Sequence, residues 1–190
     1  MKRLLTPLCK FVATESCDEV TRMAIQVHGG IGFMAETAVG KLHLDGIITT
    51  IYEGTSEIQV SFALKEIGKG ALEVVFDELR RDLSKLTSEP LAALAAMVNE
   101  GIERIVDCTP ALLQGFNYAL LCSRLMAEMV SHVIIAAELL QQAAVEPARV
   151  DLAASWIHRK MLDLEVQARR VSEGTLERLD RCERVVRLWG

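Results

Sequence analysis

Ile51-Tyr52-Glu53-Gly54-Thr55-Ser56-Glu57-Ile58-Gln59 is the stretch on which the reading of this chain turns. It sets one carboxylate, Glu53, beside a glycine that lets the backbone reverse sharply, and follows them with Thr55 and Ser56, either of which can cap a helix by accepting from its free N–H groups. A glutamate in an isolated loop is ordinarily just solvated. What surrounds this one is therefore what matters.

Downstream, Ser56 to about Gly68 reads as a helix with Ile58, Phe62, Leu64 and Ile67 among its apolar positions. Upstream, Thr37 to Ile48 reads as another, so the turn lies between two apolar helices. Further toward the N-terminus, Val12, Val20, Met23, Ala24 and Val27 recur at mostly helical spacing with Glu15, Asp18, Glu19 and Arg22 between them. That pattern predicts a helix with one buried face, ending at Gly29-Gly30. Beyond Gly70 the apolar patterns lengthen: Leu72 to Leu86, Leu91 to Val106, Ala111 to Ala144, Ala148 to Ser172, and a charged stretch Leu176 to Leu188. Pro90, Pro110 and Pro147 fall near expected helix starts, where a missing N–H costs nothing, and Gly174 sits where a C-terminal cap belongs. Ala, Leu, Glu, Arg and Met dominate, residues that lose little rotamer freedom in a helix. The fold class expected is all-α, a helical bundle over residues 1–70 followed by a second helical bundle over 71–190.

Gly30-Ile31-Gly32-Phe33-Met34-Ala35 satisfies G-x-G-x-x-A, and Glu53 follows at about the spacing of a ribose-binding acid. That fingerprint needs a preceding strand. Here a helical pattern rich in charge precedes it, and no βαβ alternation follows. Gln26-Val27-His28-Gly29-Gly30-Ile31-Gly32-Phe33 reads instead as a helix end running into glycines, either a plain C-cap or a place where bare backbone approaches a ligand.

Taken together, the Gln26-to-Phe33 and Ile51-to-Gln59 blocks, in that order and spacing, resemble the C-terminal helical domain of acyl-CoA dehydrogenases. The similarity runs from about Leu5 to Gly70. The resemblance implies oxidation of an acyl-CoA thioester to a trans-2-enoyl-CoA, the pro-R α-proton going to a base and the β-hydrogen leaving as hydride to FAD. It makes Glu53 the base and its own N–H one donor to the thioester oxygen, with a flavin ribityl hydroxyl as the other. It further implies that Gln26, Gly29 and Gly30 reach the FAD of a neighbouring subunit, that Thr55 and Gln59 lie near bound FAD, and that Tyr52 and Gly54 line the acyl-CoA pocket. An electron acceptor such as an electron-transfer flavoprotein and a homo-oligomeric assembly come with the same resemblance.

The chain departs from the family in one place. Where many relatives have R-D-x-R-I, this sequence has Leu44-Asp45-Gly46-Ile47-Ile48, which keeps the acid and loses both arginines. The second bundle resembles, in length, helicity and position, the extra domain of the longer dehydrogenases that include enzymes acting on 3-methylthiopropanoyl-CoA. The family's N-terminal helical and middle β domains do not occur in these residues, so the chain alone is not expected to turn over substrate. The competing reading is a non-catalytic helical module serving oligomerisation.

Composition narrows the field. The 190 residues carry a net charge of −5 with no Lys/Arg stripe, which argues against nucleic acid as a partner. The apolar stretch Met129 to Leu140 falls short of a bilayer span and contains Ser131, His132 and Glu138, so it reads as a buried bundle helix with no membrane span. The N-terminus is basic but lacks an apolar h-region, which favours a cytoplasmic protein. Five scattered cysteines (Cys9, Cys17, Cys108, Cys122, Cys182) read as free thiols, and no metal site is indicated. His28, His43, His132 and His158 read as packing or surface residues.

Overall fold

The computed structural model describes residues 2–188. Helices and turns account for all the regular structure among the described residues, and the chain divides into two compact units, Met1–Ala71 and Leu72–Gly190.

In the first unit, α1 (Lys2–His28), the single turn α2 (Gly30–Phe33) and α3 (Ala38–Ile47) are followed by a 3₁₀ turn at Ile48–Thr50 and by α4 (Ser56–Ile67). α1 packs against α3 and α4. It buries Leu4, Pro7, Leu8 and Phe11, an i, i+3, i+4, i+7 stripe. α4 answers with Ser56, Val60, Ala63 and Ile67. Two expectations fail here for the same reason. Val20, Met23 and Val27 in the second half of α1 are exposed, as are Ile58 and Phe62 on α4. Each helix carries apolar residues around more of its circumference than this unit can cover, so periodicity alone picks the wrong stripe.

The turn α2 was not legible from the glycine run. Its placement depends on Gly32, which is buried: a Cβ there would lie 2.8 Å from both the His28 Cβ and the Ile25 carbonyl. Gly46, in the segment where relatives carry R-D-x-R-I, is likewise buried, its Cα facing Cys17 and Thr21 of α1. The neighbouring Asp45 pairs with Lys41 one turn earlier on the same helix. His43 takes a packing role, with Nδ1 3.0 Å from the Thr21 hydroxyl and 3.6 Å from Asp18.

The second unit contains α5 (Ala71–Leu83), α6 (Leu91–Cys108), a 3₁₀ turn at Thr109–Gln114, α7 (Phe116–Val145), a 3₁₀ turn at Pro147–Arg149, α8 (Val150–Glu173) and α9 (Glu177–Arg187). The run expected as one helix from Ala111 is interrupted at Gly115, whose φ of 153° is readily available only to glycine. α6, α7 and α8 pack on one another around Val98, Ile102, Ile105, Met126, Met129, Val130, Leu140, Ile157 and Leu164. Burying each such side chain is worth about 1.5–3 kcal/mol. α5 contributes Leu72, Val75, Phe76, Leu79 and Leu83 from one face and is tied to α6 by the 2.7 Å Arg80–Glu103 ion pair. α9 is an exposed helix with Glu177–Arg181 and Glu183–Arg187 pairs four residues apart.

α7 is longer than the stretch singled out in the sequence. By length and composition it is apolar enough to cross a membrane, and half of its most apolar window is buried within the fold. The core side chains of α6 and α8 cover that buried half.

Gly174 ends α8, but in an extended conformation (φ −73°, ψ 156°) rather than a left-handed cap. The reason for glycine is space. The Tyr118 hydroxyl donates to the Val171 carbonyl at 2.6 Å, and a Cβ on Gly174 would stand 2.5 Å from that hydroxyl and 2.6 Å from the Arg170 carbonyl. Burial also pushes the Tyr118 phenol up to about 12, so it remains a donor at every ordinary pH. Gly174→Ala is expected to destabilise the second unit by about 1–3 kcal/mol, as overpacking does, measured by urea unfolding of the chain. An unchanged midpoint would show that the α8 end relaxes freely.

Candidate functional site

The peptide after α3 tightens into the 3₁₀ turn, and the Tyr52 N–H still reaches the Ile48 carbonyl at 2.9 Å. The chain then reverses through two successive residues with positive φ, Glu53 at 55° and Gly54 at 102°. For glycine this is ordinary. For glutamate it is not: among the described non-glycine residues Glu53 alone takes a positive φ, a conformation costing an L-residue roughly 1–2 kcal/mol. Three contacts hold the reversal. The Gln59 amide donates to the Glu53 carbonyl at 3.0 Å, the Lys10 ammonium donates to the Gly54 carbonyl at 2.7 Å, and the Thr55 hydroxyl accepts from the Ile58 N–H at 3.4 Å to cap α4. Ser56, one of the two cap candidates, points elsewhere and donates to Glu15 of α1.

The site residues expected from the sequence thus fall into two groups. Tyr52, Glu53, Gly54, Thr55 and Gln59 share one turn, with Tyr52 and Glu53 exposed and Gly54 half-buried. Gly54 is constrained by its φ and by the Gln59 amide, which would lie 3.0 Å from an added Cβ. Gln59 is committed through its N–H to the turn itself. Gln26, Gly29 and Gly30 form the second group at the end of α1. The Gln26 carbonyl accepts from Gly29 at 3.1 Å, Gly29 has a φ of 61°, and no atom lies within 4 Å of where a Cβ on Gly29 or Gly30 would be. Bare backbone faces outward there. No hydrogen bond joins the two groups among the described residues.

Lys10 and Glu15 were missed. Nothing in the sequence marks them, because they lie 44 and 41 residues from their partners and sit on α1 among ordinary solvated charges. Chemically the turn presents the exposed Glu53 carboxylate on backbone whose two carbonyls are held by Gln59 and Lys10. No three His, Cys, Asp or Glu side chains converge as a metal site among the described residues.

Residues 1–68, nearly all of the first unit, match the family model described as the acyl-CoA dehydrogenase C-terminal domain. The first unit is such a domain. Among individual proteins, the chain is 32% identical over 122 residues to the 3-methylmercaptopropionyl-CoA dehydrogenase of Ruegeria pomeroyi, covering 63% of this chain and 20% of that protein. That alignment is longer than the first unit, so the similarity continues into the second. Over 52 residues it is 44% identical to subunit CarC of the caffeyl-CoA reductase-Etf complex of Acetobacterium woodii, covering 27% of this chain and 14% of that one. The fold resembles that of an acyl-CoA dehydrogenase from Bacillus anthracis complexed with FAD, with a TM-score of 0.71 at 21% identity over 88% of this chain and 32% of that one. The chain spans about a fifth of the length of the Ruegeria protein.

Proposed function

We propose that this chain is the C-terminal portion of an FAD-dependent acyl-CoA dehydrogenase in which Glu53 removes the α-proton of the bound thioester. One observation carries the reading: in a unit that matches the family's C-terminal domain, the sequence places a glutamate where the backbone prefers glycine and holds the carbonyls of both turn residues. A carboxylate on a fixed turn is a positioned general base. FAD, when bound, accepts the β-hydride. Tyr52 and Gly54 face the acyl-CoA, the Glu53 N–H donates to its thioester oxygen, and Thr55 and Gln59 lie toward the flavin. One N–H of the Gln59 amide is spent on the turn, which leaves its second N–H and its carbonyl oxygen for that place. The outward backbone of Gly29 and Gly30, with Gln26, fits approach to the FAD of a neighbouring subunit.

Glu53 is exposed in this chain, whereas a base for so weak a carbon acid needs a desolvated site that lifts its pKa. The remaining walls belong to domains outside these residues. The isolated chain is therefore not competent, and the active form is a homo-oligomer. Val27, Ile31, Phe33 and Met34, exposed beside the second residue group, are the kind of surface that assembly covers. An electron-transfer flavoprotein is the proposed acceptor, in keeping with the relative that works in an Etf complex.

The test is anaerobic addition of a panel of acyl-CoAs to the complete protein carrying this chain. At least one is expected to bleach the oxidised-flavin absorbance within a turnover. A purified oligomer that holds no flavin and bleaches with none would instead establish a non-catalytic assembly module.

A further inference from the structure

Building on the reading of Glu53 as base, we propose that Lys10 is a positioning residue, which sets the turn geometry of Glu53 from α1 without touching substrate. The Glu53–Gly54 segment needs external support, because two consecutive positive-φ residues place both carbonyls out of the helical hydrogen-bond pattern. Gln59 supports the first carbonyl from the helix that immediately follows. That contact is local and moves with α4. Lys10 supports the second from α1, the long helix on which α3 and α4 both pack, so it ties the turn to the scaffold.

The chemistry of Lys10 suits the task. Its ammonium is half-buried, forms no ion pair among the described residues, and donates to the Gly54 carbonyl at 2.7 Å. A charge-assisted bond to a carbonyl is stronger than a neutral one. Gly54 is also the residue with the widest conformational choice in the turn, so fixing its carbonyl removes the freedom that would otherwise let Glu53 swing. Ser56, bonded to Glu15 on the same helix, pins the next element of the turn in the same way. α1 thereby determines where the carboxylate points, although no α1 residue belongs to the Ile51-to-Gln59 block.

The test uses Lys10→Met, which keeps the aliphatic stem and removes the donor, and Lys10→Arg, which restores one. In the 190-residue chain, backbone amide NMR is expected to show Gly54 and Thr55 shifted and exchanging faster in Lys10→Met, returning toward the parent in Lys10→Arg. In the complete flavoprotein, single-turnover flavin reduction is expected to fall roughly ten- to a hundredfold in Lys10→Met, as a misplaced reacting group does, with acyl-CoA affinity changed less than about twofold. Unmoved Gly54 and Thr55 amides, or a rate unchanged while Glu53→Gln abolishes reduction, would overturn the role of Lys10 and leave the base intact. Reduction that survives Glu53→Gln would instead remove the base, while the amide readout still decides whether Lys10 holds the turn. Equal losses in rate and in affinity that Lys10→Arg does not rescue would mark a structural lysine only.

Discussion

Glu53→Gln in the complete flavoprotein is expected to slow flavin reduction by acyl-CoA by about a hundred- to ten-thousandfold, the usual contribution of a general base. The substitution keeps the side chain's shape and its positive-φ backbone, so the Gln59 and Lys10 contacts to the turn carbonyls should persist. It removes the one thing the mechanism needs, an acceptor basic enough for an α-proton. Substrate should still bind, because the main-chain N–H of residue 53, the proposed donor to the thioester oxygen, is left in place by the change. Rapid-mixing spectrophotometry separates the two: an unchanged spectral shift on binding followed by little bleaching is the expected trace. Bleaching at the parent rate would mean that another group takes the proton.

The second large effect concerns stability and pH. His132 lies mid-way along α7, largely buried, its ring edge-on to Trp156 with centroids 6.2 Å apart, and its Nδ1 has no hydrogen-bond partner. Burial, with the Lys160 ammonium nearby, holds its pKa down from 6.5 to about 4, against a small opposing pull from Asp163. The unfolded chain takes up this proton first as pH falls. Stability from the neutral ring is thus whole above about 6.5, is lost progressively as pH drops toward 4, and changes no further below. A gap of that size corresponds to roughly 3 kcal/mol. Urea unfolding of the second unit at pH 7 and at pH 4.5 should show most of that loss, and His132→Phe, which keeps an aromatic against Trp156, should flatten it. A parent protein equally stable at both pH values would show that the ring protonates in place.

How much of this was legible beforehand differs by element. The all-α class followed from composition and from periods that the structure keeps, as in Leu94, Ala95, Val98, Ile102 and Ile105 of α6. The family followed from two short blocks. What periodicity could not give was which apolar stripe is covered: Val27 and Phe62 look as buried in the sequence as Leu8 and Val60, and only the presence of a packing neighbour separates them. The glycines show the same limit. Gly54 was readable as a turn, whereas Gly32 and Gly174 are required because backbone atoms stand where a Cβ would go, which no local pattern announces. The candidate site was legible as a motif: Tyr52, Glu53, Gly54, Thr55 and Gln59 do share one turn. Its supports, Lys10 and Glu15, were not, since they matter through three-dimensional reach.

The left-handed backbone at Glu53 also bears on descent. A glutamate there is thermodynamically disfavoured relative to glycine or asparagine, so in any lineage where this domain has lost its chemistry and kept only its scaffold, drift should run downhill at this position before it reaches the core. Position 53 therefore works as a marker of use. On the proposed role of Glu53, chains that hold an acid on this turn are expected to keep the chemistry, and those with a turn-former there to have lost it.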